Sequence, residues 1–158
     1  MANGRGTKMA TKREMKVSIS GQSVNPTRID LQAGKFAVTI DEPASMGGTD
    51  AGPSPVHMLL MALAGCLHVT GHEIARQNNL TLKGMKIDIE GVLNPCMFMG
   101  CSFEERAGFK NIQVIITPDF VNATTEEVTS WLKETERRCP VSDNVRSNTE
   151  IEVQLIHE

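Results

Sequence analysis

The stretch SPVHMLLMALAGCLHV, Ser54–Val69, decides how the chain folds. After Pro55 it reads as a helix: Ser54 can cap, and Pro55 takes the first helical position, where its missing N–H costs nothing. It holds no Lys, Arg, Asp or Glu. An ordinary surface helix has one apolar stripe. Here Leu59, Leu60, Leu63 and Leu67 occupy one side, while Met58, Met61, Ala62 and Val69 surround the rest. A helix apolar all round is expected to be buried all round. One partner helix and a few short strands are too little to enclose it, so a homodimer sharing this helix is the expected remedy. Ala62, Ala64 and Gly65 leave room for a neighbouring backbone. The helix is expected to end at Asn78-Asn79, since asparagine tolerates the left-handed conformation at a C-terminus.

Cys66 lies on the row Leu59, Ala62, Val69 of that helix. Two readings stand. One is a small hydrophobe in a core, as most buried free cysteines are. The other is a nucleophile in an apolar chamber. Mid-helix placement and apolar surroundings raise a thiol pKa, so a reactive Cys66 needs a cation delivered from elsewhere in the sequence or from a second chain. His57 does not serve, being about 13 Å away along the axis and on the opposite side. His68 and His72 have metal-ligand spacing, but they read rather as one packed and one surface histidine than as a zinc site.

Outward from the helix, three stretches alternate apolar with polar residues: Met15–Ser20, Thr27–Gln32 and Phe36–Asp41. The Ala33-Gly34 link suits a hairpin. Glu42–Pro53 reads as a loop on its Gly and Pro content. Beyond the helix, strands are expected over Met85–Leu93 and Asn111–Thr117, with the loop NPCMFMGCSFEERAGF between them. A second helix is expected from Thr124, with Glu127 completing a capping box, to about Arg138; its stripe is Val128, Trp131, Leu132 and Thr135. Pro140 stops it at Cys139. Glu150–Ile156, with Ile151, Val153 and Leu155 alternating, reads as a last strand. The expected order is βββ-α-ββ-α-β, an α+β fold with largely antiparallel pairing.

Composition narrows the function. The 158 residues carry a net charge of −3, which gives no electrostatic case for nucleic acid or an anionic membrane. Four basic residues and no acid fall in MANGRGTKMATKR, residues 1–13. That stretch lacks an apolar core, so a mobile tail rather than a secretory signal is expected. The run His57–His72 is shorter than the roughly 18 apolar residues of a bilayer span. A cytoplasmic protein is therefore expected, and in that compartment Cys66, Cys96, Cys101 and Cys139 read as thiols. The segment CMFMGCSF, Cys96–Phe103, leaves three readings open: a packed loop, an apolar flap over a site, or a soft-metal site of thiolates and thioethers.

Two motifs then act together. DAGPSPVHMLLMALAGCLHVTGHEIA, with RRCPVSDNV following so that Cys139 stands 73 residues after Cys66, resembles the OsmC/Ohr family of thiol-dependent hydroperoxide reductases. The resemblance runs from about Lys16 onward, and it implies a basic tail over 1–14 and one OsmC-like domain over 15–158. It implies the OsmC-like fold, an intertwined homodimer with a buried central helix, and a thiol peroxidase with no cofactor and no metal. In such a protein Cys66 is the peroxidatic cysteine, Cys139 the resolving one, and an arginine from the N-terminal strands stabilises the thiolate. Arg28 in NPTRIDLQAGKF is the candidate. The implied partners are an organic hydroperoxide and a dithiol reductant such as a lipoylated protein, in an antioxidant stress response. The chain departs from the family where a glutamate usually follows the helix-starting proline: Val56 and His57 stand there. Asp50, Glu42 or a neutral His57 are then the candidates to hold Arg28. The departure keeps an alternative open, a non-catalytic protein on the same scaffold that binds an apolar or thiol-reactive small molecule.

Overall fold

The computed structural model describes residues 14–156, so the expected basic tail falls, but for Glu14, outside the described residues. The chain forms two compact units that divide between Ser54 and Pro55.

The N-terminal unit is a three-stranded antiparallel sheet, β1 (Ser20–Ser23), β2 (Ile29–Ala33) and β3 (Phe36–Ile40), in that order. Ala33 pairs with Phe36 across a tight turn in which Gly34 takes φ +58°, as the hairpin reading expects. β1 differs from expectation. It begins at Ser20, opposite Gln32, rather than spanning Met15–Ser20. Val17 and Ile19 are 76% and 64% exposed, so their alternation finds no face to bury within the unit.

After β3 the chain is gathered by one buried carboxylate. Asp41 accepts the Thr49 N–H at 2.9 Å, the Thr49 hydroxyl at 2.6 Å and the Ala51 N–H at 3.2 Å. The expected loop is thereby a fixed turn, with a short 3-10 segment at Ala44–Met46. The Thr49 hydroxyl, with the Ala51 and Thr49 amides, holds the Asp41 carboxyl far below the usual carboxylate range, against the upward push of burial.

The C-terminal unit runs α1 (Pro55–Gln77), β4 (Thr81–Val92), α2 (Cys96–Met99), β5 (Asn111–Val121), α3 (Thr125–Arg138) and α4 (Pro140–Arg146). β4 and β5 form an antiparallel hairpin from Thr81 opposite Val121 to Val92 opposite Asn111. Its apolar face meets α1 in two clusters. Ile87, Ile89, Ile112, Val114 and Ile116 pack around Leu63 and Leu67. Nearer the helix end, Leu82, Met85 and Phe120 pack around Ile74, Ala75 and Trp131. The Trp131 Nε1–H donates to the Gly71 carbonyl at 2.7 Å, which locks α3 onto α1. Gly71 is required by that approach, because a Cβ there would stand 2.8 Å from the Trp131 ring.

α1 ends as expected, with Asn79 left-handed at φ 58°. α3 carries the expected capping box, Thr124 with Glu127. Both strands of the hairpin are longer than their alternation suggests, β4 starting at Thr81 and β5 passing Pro118 to Val121. Pro140 ends α3 at Cys139 but also opens α4, an element the sequence reading lacks. The expected last strand is absent: Ile151, Val153 and Leu155 are 82%, 88% and 79% exposed in a segment without secondary structure. A strand needs a hydrogen-bonding edge, and none of the described strands pairs with this segment. The α+β class holds, with the order corrected to βββ-α-β-α-β-α-α.

By length and apolar character α1 is able to cross a membrane, a test that the core helix of a globular protein also passes. Here it buries Leu63, Leu67, Gly71, Ile74 and Ala75. Val56, Leu59, Met61 and Val69 remain exposed, so one chain covers one face of the helix and not its whole circumference.

Two outcomes test this packing. Gly71→Ala should destabilise the C-terminal unit by about 1–3 kcal/mol in denaturant unfolding, because the buried Trp131 ring has no room to retreat. Amide exchange at Thr49 and Ala51 should be slow at neutral pH. Since the folded Asp41 pKa is depressed, that protection should persist above the ordinary carboxylate range and fall as pH drops below it toward the depressed value. In Asp41→Asn the protection should be weak at every pH.

Candidate functional site

Cys66 sits half-buried in the middle of α1, and Cys139 is fully buried where α3 gives way to α4. The contact of these helices brings the two residues into one cluster with Leu63, Leu67 and the isoleucines of the hairpin. Both thiols are free. Cys139 owes its place to the proline that follows: it closes α3 in an extended conformation and caps α4, its Sγ accepting the Ser142 N–H at 3.4 Å.

The two thiols differ electrostatically. Burial pushes the Cys66 thiol up and the neighbouring Cys139 adds to this, with the Val141 N–H acting the other way. Burial also raises Cys139, but the hydrogen bonds from the Ser142 hydroxyl and amide outweigh it and bring that thiol down. Within its own helix the Thr70 side chain favours the Cys66 thiolate, but burial outweighs it and the thiol stays raised.

Arg28 belongs to the N-terminal unit, just before β2. The Asn25 side chain accepts the Thr27 and Arg28 N–H groups at 2.9 and 2.7 Å, turning the chain into the strand. The guanidinium then forks onto Asp30, Nε to Oδ1 at 3.0 Å and Nη2 to Oδ2 at 2.9 Å. The Thr39 hydroxyl donates to the same Oδ1 at 2.8 Å. Arg28 is thus paired with Asp30, a carboxylate outside the candidates Asp50, Glu42 and His57, and Asp50 accepts the Ala44 N–H at 3.3 Å. The signal was present in Arg28-Ile29-Asp30, since residues two apart on a strand share a face.

The other candidates resolve differently. Cys96 and Cys101 form a disulfide, which corrects their reading as thiols and removes both from a soft-metal site. The α2 turn puts their Cα atoms 4.8 Å apart, within bridging reach. The His68 and His72 rings meet edge to face at 4.6 Å, and no group of three metal-binding side chains occurs among the described residues. A cavity of about 360 Å³ lies beside the thiol cluster. Leu63, Leu67, Val114 and Leu132 make its apolar wall, and Arg106, Lys110 and Arg146 also line it.

Two free thiols, one on the apolar helix α1 and one where α3 meets α4, thus lie in one apolar cluster of an α+β scaffold. The family model described as OsmC-like protein matches residues 48–154, most of the chain and both of these cysteines. The chain belongs to the OsmC-like family. An OsmC-like protein from Mycoplasma pneumoniae has a similar fold, with TM-score 0.73 and 17% identity over 92% of this chain and 100% of that one. An organic hydroperoxide resistance protein OsmC from Legionella pneumophila matches with TM-score 0.62 and 17% identity, over 87% and 93%. An OsmC-like protein of unknown function from Vibrio cholerae matches with TM-score 0.71 and 9% identity, over 85% and 96%. No curated protein matches the sequence significantly.

Asp30→Ala should release Arg28. In nitrogen-detected NMR the Arg28 Nε–H, slow to exchange in the parent protein, should become fast and averaged, while the sheet amides stay protected.

Proposed function

We propose that the protein is a thiol peroxidase that reduces organic hydroperoxides. The observation that carries this is the packing of Cys66 and Cys139, both free thiols, in one apolar cluster. The names of the Legionella pneumophila relative and of an organic hydroperoxide resistance protein from Elizabethkingia anophelis support a role in hydroperoxide resistance.

The Cys66 thiolate attacks the outer oxygen of the hydroperoxide. The O–O bond breaks, the alcohol leaves with a proton, and Cys66 becomes a sulfenic acid. Cys139 attacks that sulfur, water departs, and a Cys66–Cys139 disulfide remains. A dithiol reopens it by two exchange steps and leaves as its own cyclic disulfide, so two electrons pass from reductant to peroxide. The apolar wall of the cavity favours an alkyl or aryl hydroperoxide over hydrogen peroxide.

Cys66 needs a cation, and Arg28, held in a fixed orientation by Asp30, is our candidate to lower its pKa. A second copy of the chain completes the assembly. The exposed face of α1 and the alternating, unpaired segments around Val17 and Val153 are surfaces that a homodimer covers. We assign the protein to the cytoplasm, where dithiol reductants are available.

Consumption of cumene hydroperoxide with dihydrolipoamide or dithiothreitol tests the proposal. Cys66→Ser should abolish it, and Cys139→Ser should slow steady turnover to the rate at which the dithiol itself attacks the Cys66 sulfenic acid. Arg28→Ala should shift the acid limb of the pH–rate profile upward, because the Cys66 thiol then keeps the raised pKa that burial imposes. Absence of activity across several alkyl hydroperoxides with both dithiols would sink the proposal.

A further inference from the structure

The CMFMGC segment holds a second sulfur pair that the peroxidase chemistry does not use. We propose that the Cys96–Cys101 disulfide is a dithiol–disulfide exchange site in its own right, taking electrons from a dithiol carried on an apolar arm and returning them to a disulfide of the same class. This goes beyond the peroxidase reading and does not depend on it.

The first observation is access. Cys101 is exposed and Cys96 half-buried, so an incoming thiolate reaches the Cys101 sulfur and Cys96 departs as the leaving thiolate. Exposed disulfides are the labile and catalytic ones, whereas buried ones resist reduction. The ring is also short, with a sequence separation of 5, and a short ring takes little entropy from the unfolded chain. Its value as a structural clamp is correspondingly small.

The second observation is that the turn is held without the sulfurs. The Cys96 carbonyl accepts the N–H groups of Gly100, of Cys101 at 3.0 Å and of Ser102 at 3.4 Å. Gly100 is left-handed at φ 73°, which turns the chain back toward Cys96. The Cys96 N–H donates to Asn94 Oδ1 at 3.0 Å, and Asn94 Nδ2 donates to Glu105, which is paired with Lys110. Opening the bridge therefore leaves the two sulfurs facing one another, ready to close again. A pair held in that way cycles; a purely structural bridge would be the thing that holds the turn.

The third observation names the reactant. Phe98, Met99 and Phe103, two or three residues from Cys101 in the chain, are 74%, 61% and 72% exposed. Exposed apolar side chains flanking the bridge suit a dithiol borne on a hydrocarbon arm better than a hydrophilic monothiol. The chemistry balances without any further oxidant. A dithiol R(SH)2 forms a mixed disulfide at Cys101 while Cys96 leaves as a thiolate and takes a proton. The second thiol of R then displaces Cys101, so R leaves as a cyclic disulfide and the protein holds two thiols. The reverse sequence reoxidises the pair.

The test uses the full-length chain purified without reductant, as the parent protein and as Cys66→Ser/Cys139→Ser, with alkylation and peptide mapping as the readout. Dihydrolipoamide should release two thiols, at Cys96 and Cys101, about ten-fold faster than glutathione at equal thiol, since its second step is intramolecular. Oxidised lipoamide should restore the bridge, with circular dichroism unchanged throughout. Phe98→Ser/Phe103→Ser should slow dihydrolipoamide but not dithiothreitol. If the double cysteine variant fails to fold, the same peptides are mapped in the parent protein. Four free thiols at purification, a bridge that opens only on denaturation, or loss of folded structure on reduction would each overturn the proposal. Failure of the peroxidase assay would leave this result unaffected, because the serine variant lacks that cycle altogether.

Discussion

Leu63 and Leu67, four residues apart on α1, seat against Ile87, Ile89, Ile112, Val114 and Ile116 of the β4–β5 hairpin. Each such side chain taken out of water contributes about 1.5–3 kcal/mol, so this contact is a large part of what holds the C-terminal unit together. Trp131 secures the far end of α1 by filling the space that Gly71 leaves and donating to its carbonyl. Once α1 is fixed in this way, the position of Cys66 follows from the helix. α3, anchored by the same tryptophan, delivers Cys139 to it.

The price of that burial is chemical. The contact that places Cys66 also deprives its thiolate of water, while Cys139 is compensated by Ser142. A reaction that begins at Cys66 therefore draws on charge from outside its own helix, and Arg28 comes with Asp30 already in position to orient it. The exposed half of α1 poses the same demand in apolar terms.

Much of this was legible in the sequence because it is local. The hairpin at Gly34, the capping box at Thr124 and Glu127 and the left-handed Asn79 each depend on a few neighbouring residues. The Cys66–Cys139 cluster was reached only through paired motifs far apart, since no local pattern of either residue contains the other. What was missed depends on partners. Residues 151–155 alternate like a strand, but a strand is defined by the edge it pairs with. The Cys96–Cys101 bridge rests on the turn made by Gly100, where compartment-level reasoning about cysteines says nothing of Cα separation. The Arg28 partner, Asp30, lies on the arginine's own strand rather than in the loop or at the helix start, where the family's glutamate would stand.

The central claim is that Cys66 and Cys139 act as one redox unit. Mass spectrometry after one equivalent of cumene hydroperoxide, with free thiols alkylated before digestion, tests it most directly. The account predicts a Cys66–Cys139 linkage beside the Cys96–Cys101 bridge. Alkylated Cys66 and Cys139, with Cys96–Cys101 as the sole linkage, would contradict it.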